Sequence, residues 1–184
     1  MTIRPYQNKD FDSVRFVCLN SEGPCDLNKP DQHYVLTTYC DYYIEREPQN
    51  CFVAADESDR AVGYIICAES FDNFFSVFRQ DYVNRLSSQL EDYRSMAIHS
   101  TDLQRKYKME YPAHLHIDLL PEYQRKGSGH KLVDTLASHL RSKGVPGVML
   151  TVGTLNQVGQ SFYNKYGFSV LEKTPGDVAY GLKL

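Results

Sequence analysis

The sequence predicts an α/β fold built on a mixed sheet with helices packed against it. Three observations carry that prediction. From Pro112 onward, strand-like and helix-like stretches alternate and close on two strands. "CFVAADE" and "AVGYIICAE" form a hairpin around the polar turn "SDR". Between these regions, aromatic residues recur every three or four positions, the spacing of an amphipathic helix.

Taken in order, "TIRPY" is a short first strand, and "NKDFDSVRFVCLNSEG" turns helical. Asp10 suits its N-cap, Phe11, Val14, Val17 and Cys18 form its apolar stripe, and Gly23 lies just beyond. "YVLTTYCDYYI" reads as a second helix, against its β-branched and aromatic content. After the hairpin, Phe71, Phe75, Phe78, Tyr82, Leu86, Leu90 and Tyr93 predict one long helix. A more polar piece, "STDLQRKYKMEY", leads to Pro112.

Next, "HLHIDLL" reads as a strand, and the helix from Gly127 turns Leu132, Val133, Leu136, Ala137 and Leu140 inward. "GVMLTV" is a strand, "NQVGQSFYNKYGF" a helix stopped by Gly167, and "FSVLE" and "VAYGLKL" are the final strands. No repeat or linker divides the chain, so the expectation is one domain over residues 1–184 with a helical insertion at 70–111.

Composition bounds the function. At 184 residues, with 42% hydrophobic and 23% charged, the chain can bury a core without metal or disulfide help. Its net charge of −3 argues against a nucleic-acid partner held by bulk positive charge. The five cysteines are scattered with no C-x-x-C pair, which fits a reducing cytoplasm better than a disulfide or zinc framework. "MTIRPYQNKDFDSV" is too polar for a signal peptide and no apolar run reaches membrane length, so a soluble, cytoplasmic protein with no membrane partner is expected.

The most informative stretch is Gln124-Arg125-Lys126-Gly127-Ser128-Gly129, at the mouth of a helix. The first amides of a helix lack intrahelical partners, and the helix dipole places partial positive charge there. Glycines let the backbone approach a ligand closely, so this turn can offer several N–H donors to a phosphate or pyrophosphate. The alternative is a tight strand-to-helix turn with solvated cations. Neither G-x-x-x-x-G-K-[ST] nor an early G-x-G-x-x-G is present, which disfavours ATP, NAD and a nucleotide-binding regulatory role.

"LLPEYQRKGSG" resembles the Q/R-x-x-G-x-G/A motif of the GNAT acetyltransferase superfamily, with the apolar-x-Pro that precedes it. "NQVGQSFYNKYGF" resembles that family's N-x-x-A-x-x-x-Y-x-x-x-G-F, with Asn156, Tyr163, Gly167 and Phe168 in register and Gly159 in place of alanine. The likeness spans the chain from Pro112 to its end and, more loosely, Thr2 to Glu69. A finer resemblance, through "YPAHLHIDLLPEYQRKG" and the insertion before it, is to the acetyltransferase-like domain of O-GlcNAcases and its stand-alone bacterial relatives.

The resemblance implies a GNAT fold, a mixed and mostly antiparallel sheet of about seven strands with the helical insertion between the third and fourth. It also implies acetyl-CoA as co-substrate. The backbones of Leu119 and Leu120 would pair with pantetheine. The turn Gln124, Arg125, Lys126, Gly127, Ser128, Gly129 and His130 would hold the pyrophosphate, with Arg125 and Lys126 adding charge toward the 3′-phosphate. Asn156 would contact the pantetheine, and Tyr163 would be the general acid beside the sulfur.

The base is less defined. The positions where family members carry one fall on Ala113 or Leu115, which accept no proton. His114, His116 and Asp118 alternate on the opposite face of that strand, as catalytic candidates or as a buried hydrogen-bond network. Glu69 is another candidate base. The same "HLHID" face can ligate a metal, but a face turned to a helix layer makes burial the better reading, and no metal is expected. Phe71, Phe74, Phe75, Phe78 and Tyr82 either roof an acceptor pocket or pack the insertion onto the sheet. "YCDYYIERE" offers tyrosines and carboxylates for a cationic amine. The expected activity is direct transfer of acetyl to a primary amine, on a small molecule or aminosugar ahead of a protein lysine. The competing class is a non-catalytic CoA-binding or interaction module. A homodimer is one assembly this reading admits.

Overall fold

The protein, as a computed structural model, is described over residues 1–21, 31–86 and 91–184. Its seven strands are β1 (Thr2–Pro5), β2 (Phe52–Ala55), β3 (Ala61–Ala68), β4 (Ala113–Leu119), β5 (Gly147–Gly153), β6 (Ser169–Lys173) and β7 (Asp177–Lys183). They form one sheet in the order β1-β2-β3-β4-β5-β7-β6. Every neighbouring pair is antiparallel except β4 and β5. The mixed, mostly antiparallel sheet expected from the sequence is the observed one. Every residue of β3 is buried, as a central strand covered on both faces requires.

Eight α-helices accompany the sheet among the described residues: α1 (Phe11–Asn20), α2 (Gln32–Tyr39), α3 (Asp41–Arg46), α4 (Phe71–Val77), α5 (Glu91–His99), α6 (Asp102–Tyr107), α7 (Ser128–Ser142) and α8 (Gln157–Tyr166). One face of the sheet packs on α1 to α4 through Val14, Tyr43, Tyr64, Phe74 and Phe78. The other packs on α7 and α8 through Leu115, Leu132, Leu136, Tyr163 and Tyr180. The five inward residues predicted for α7 are all buried.

Two helical expectations are corrected. "YVLTTYCDYYI" is two helices, broken at Cys40, whose φ of −133° and ψ of −60° lie outside the helical region. The single helix over Phe71 to Tyr93 is also absent. α4 passes into a π turn at Phe78–Tyr82 and a 3₁₀ turn at Val83–Arg85, and α5 follows. Leu90, Gly23 and Cys25 lie outside the described residues. The π turn keeps Phe74, Phe78 and Tyr82 on one inward face, where adjacent rings stack at 4.9 and 6.4 Å. The Tyr82 hydroxyl anchors that end by donating to Glu45 at 2.8 Å. Phe75 is only half-buried, stacked on Phe71 with the Arg105 guanidinium over it.

The feature that builds the site is the β4–β5 pair. Its ladder is confined to Ala113↔Val148 and His114↔Met149, although β4 runs on to Leu119 and β5 to Gly153. The two strands therefore part along most of their length. A wedge opens in the sheet, with backbone groups unmatched across it.

Candidate active site

Three structures meet at this wedge: the end of β4, the mouth of α7 and the inner face of α8. The Leu120 amide donates to the Val62 carbonyl at 3.0 Å, which fixes which backbone groups of β4 face β3. By alternation, the backbone of Ile117 and Leu119 faces the wedge. Leu120 also accepts from the Tyr123 amide at 2.9 Å. Its amide is thus spent inside the protein, and of the two leucines paired with a ligand by resemblance only Leu119 faces the opening. Gln124 is a clamp: its Nε2 donates to the carbonyls of Leu119, at 2.8 Å, and of Ser21, at 2.9 Å.

Beyond it, Arg125 and Gly127 take left-handed conformations, with φ of 60° and 82°. Left-handed residues of this kind occur in the concave amide turns that bind anions. Gly127 supplies the conformation without steric cost, and no side chain caps α7. The amide of Lys131 already reaches Gly127, so Ser128, Gly129 and His130 supply the open donors at the mouth. Gly129 serves a second purpose, since a Cβ there would meet the Phe162 ring at 3.2 Å. Its absence lets α7 and α8 approach. Arg125 and Lys126 are exposed beside the mouth.

On α8, Asn156 caps the helix, its Oδ1 accepting from the Gly159 amide at 2.8 Å. A Cβ at residue 159 would meet the Asn156 side chain at 3.1 Å, so glycine in place of alanine accommodates this cap. Tyr163 is 8% exposed and its ring lies against Phe162, Phe168 and Tyr180. Burial raises its phenol well above the ordinary value, and the nearby charge of Asp118 raises it further. Tyr163 is thus a neutral hydroxyl, and no described residue hydrogen-bonds it.

A cavity of about 440 Å³ lies on the other side of β4. Its walls include Cys18 and Ser21 of the α1 region, Val35 and Tyr39 of α2, Tyr64 of β3, His116 and Asp118 of β4, Thr151 and Gly153 of β5, and Asp177 of β7. Asp118 accepts from the Tyr64 hydroxyl at 2.6 Å, and His116 Nε2 lies 3.0 Å from the Tyr43 hydroxyl. Burial pulls His116 down to about 4, so its ring is neutral near neutral pH. A wider groove of about 550 Å³ on the outer face of α7, beside Phe52 and His139, shares no residue with this cavity.

Three expected contributors lie elsewhere. His114 is sealed among Tyr43, Phe71 and Phe74, with neither ring nitrogen hydrogen-bonded among the described residues. Glu69 pairs with Lys143 beyond the Ala68↔His114 end of the sheet, opposite the wedge, and is no base for a group in the cavity. The inserted aromatics Phe71, Phe74, Phe75, Phe78 and Tyr82 pack the insertion and line no part of the cavity. In "YCDYYIERE" only Tyr39 reaches it; Asp41 and Glu45 are committed to Arg15 and Arg85. Cys67 is fully buried with its thiol pushed well up, which makes it a poor nucleophile. Among the described residues, no group of His, Cys, Asp or Glu is arranged to hold a metal, and no helix is long and apolar enough to cross a membrane.

The acetyltransferase (GNAT) family profile matches residues 17–168. A crystal structure of SsHAT is 24% identical over 99% of this chain and 97% of its own, with a TM-score of 0.88. The PaiA N-acetyltransferase of Thermoplasma acidophilum, solved in complex with coenzyme A, is 18% identical over 100% of this chain and 98% of its own, with a TM-score of 0.60. YncA of Salmonella typhimurium, a putative acetyltransferase solved with acetyl-CoA, is 16% identical over 100% and 94%, with a TM-score of 0.61. At these identities the structural likeness speaks for the fold, and the profile match speaks for the family. A parted β4–β5 pair, an uncapped helix mouth and a profile match over most of the sequence lead to one conclusion: the chain belongs to the GNAT acetyltransferase family.

Proposed function

We propose that this protein is an acetyl-CoA-dependent N-acetyltransferase that transfers acetyl directly to the primary amine of a small molecule, an aminosugar included, rather than to a protein lysine. The observation that carries the reading is the walled cavity against the β4–β5 wedge, with two carboxylates and no lysine or arginine among its described lining residues. A small cationic amine suits such a lining.

Acetyl-CoA supplies an activated acetyl group as a thioester. The wedge-facing backbone of Leu119 offers hydrogen bonds to the pantetheine arm, and Asn156 flanks it. The amides of Ser128, Gly129 and His130 suit the pyrophosphate, with Arg125 and Lys126 free to reach the 3′-phosphate. Gln124 holds the turn in shape. On the acceptor side, Asp118 takes the amine proton, directly or through a water. His116 is less suited to the role, because taking a proton would create a charge on a buried ring, and its Nε2 already lies 3.0 Å from the Tyr43 hydroxyl. It serves better as a neutral cavity wall. The Tyr163 hydroxyl provides the proton that the departing sulfur needs.

The finer kinship, to the acetyltransferase-like domain of O-GlcNAcases and its bacterial relatives, belongs to this reading through "YPAHLHIDLLPEYQRKG" and the insertion before it. So does a cytoplasmic setting, which the free Cys18, Cys40, Cys51 and Cys67 suit. The test is release of free coenzyme A thiol with a panel of diamines, aminosugars and lysine peptides. Release with a small amine and not with peptides is the expected result. Binding of acetyl-CoA without release for any amine would instead make the protein a non-catalytic CoA-binding module.

A further inference from the structure

The proposed transfer needs a carboxylate at Asp118 that stays ionised and keeps its oxygens toward the acceptor, and the neighbouring strand provides for both. Tyr64 on β3 stands directly opposite Asp118 on β4 in the ladder. Both open onto the same cavity, and the Tyr64 hydroxyl donates to Asp118 Oδ2 at 2.6 Å. We propose that Tyr64 is a positioning residue for acetyl transfer, holding the Asp118 carboxylate against the acceptor cavity and favouring its ionised form. The inference rests on the reading of Asp118 as the proton acceptor.

The geometry favours a fixed role. Tyr64 is wholly buried in the central strand, so its ring has no freedom to leave the carboxylate. An O–H···O⁻ bond of this length belongs to the strong, charge-assisted class, and a donor to the charged form lowers the carboxyl's affinity for a proton. Tyr39 on α2 and Tyr163 on α8 are phenols kept neutral by burial, and His116 on β4 is neutral down to about 4. Cys18 on α1 lines the cavity, and Asp177 on β7 adds a second carboxylate, which opposes ionisation of the first. Tyr64 supports the ionised state against that environment.

The test compares wild type, Tyr64→Phe and Asp118→Asn. The Asp118 carboxyl is titrated by ¹³C NMR in protein saturated with coenzyme A, and amine acetylation is followed against pH. Tyr64→Phe keeps the buried ring, and unchanged affinity for coenzyme A verifies the fold. The expected result is an Asp118 midpoint raised by about one pH unit, with the acidic limb of kcat/KM for the amine moved up by a similar amount. An unmoved midpoint and limb in Tyr64→Phe, beside an inactive Asp118→Asn, overturn the inference alone. Full activity in Asp118→Asn overturns the assignment of Asp118 as base and the inference with it.

Discussion

Tyr163→Phe is expected to lower kcat by about a hundredfold or more while leaving the affinity for acetyl-CoA nearly unchanged, in line with the usual worth of a positioned general acid. The ring contributes packing and the hydroxyl contributes chemistry, and the substitution separates them. The ring's contacts with Phe162, Phe168 and Tyr180 survive in phenylalanine. No described residue is left without a hydrogen-bond partner, so stability should change little. Because burial and Asp118 raise the phenol well above its ordinary value, the acid stays protonated through the neutral range. The wild-type rate should therefore show no loss from this group until strongly alkaline pH. A rate unchanged in Tyr163→Phe would remove the tyrosine from the mechanism and leave water to protonate the sulfur.

The second large effect concerns stability in acid. Burial, with a smaller contribution from His116, holds His114 down to about 3 in the folded protein. The same ring titrates near its ordinary value of about 6.5 once unfolded. A histidine depressed in this way binds more protons unfolded than folded between those two values. Its contribution is complete above about pH 6.5 and is lost as the pH falls toward 3. At about 1.4 kcal/mol per pH unit, this one group costs the fold roughly 3 kcal/mol between pH 6.5 and pH 4. His116 adds to it in the same direction but by less, since it keeps a face on the cavity.

His114→Leu should remove about one proton from the pH dependence of unfolding. It should also leave stability at pH 7 equal or higher, because the ring it replaces has two buried nitrogens without partners among the described residues. Denaturant unfolding at pH 7 and at pH 4.5, for wild type and variant, measures both quantities.

Most of the fold, and part of the candidate site, could be read in advance because both rest on local signals. The strand at "HLHIDLL", the glycines at the mouth of α7, and Asn156 with Tyr163 on α8 are each declared by neighbouring residues. What escaped depends on pairing over distance. Nothing near Tyr64 in the sequence marks it as the partner of Asp118; that follows from the β3–β4 register. Tyr43 meets His116 only because the helix in "YVLTTYCDYYI" breaks at Cys40 and sets α3 against the sheet. Glu69 was a reasonable base by residue type, yet its place at the far end of β3 ties it to Lys143. The spacing of Phe74, Phe78 and Tyr82 fits an α-helix and a π turn equally well, so periodicity alone could not find the break. Leu120 fails as a ligand contact for an equally non-local reason, the claim of Val62 on its amide.

In the proposed function, the parted strands and the uncapped mouth of α7 form one site for acetyl-CoA. Calorimetric titration of the purified protein with acetyl-CoA and with coenzyme A tests it most directly. Saturable binding of both at one site per chain is expected, weakening as salt is raised because phosphate contacts carry part of the affinity. Absence of binding at either ligand's saturating concentration would contradict it.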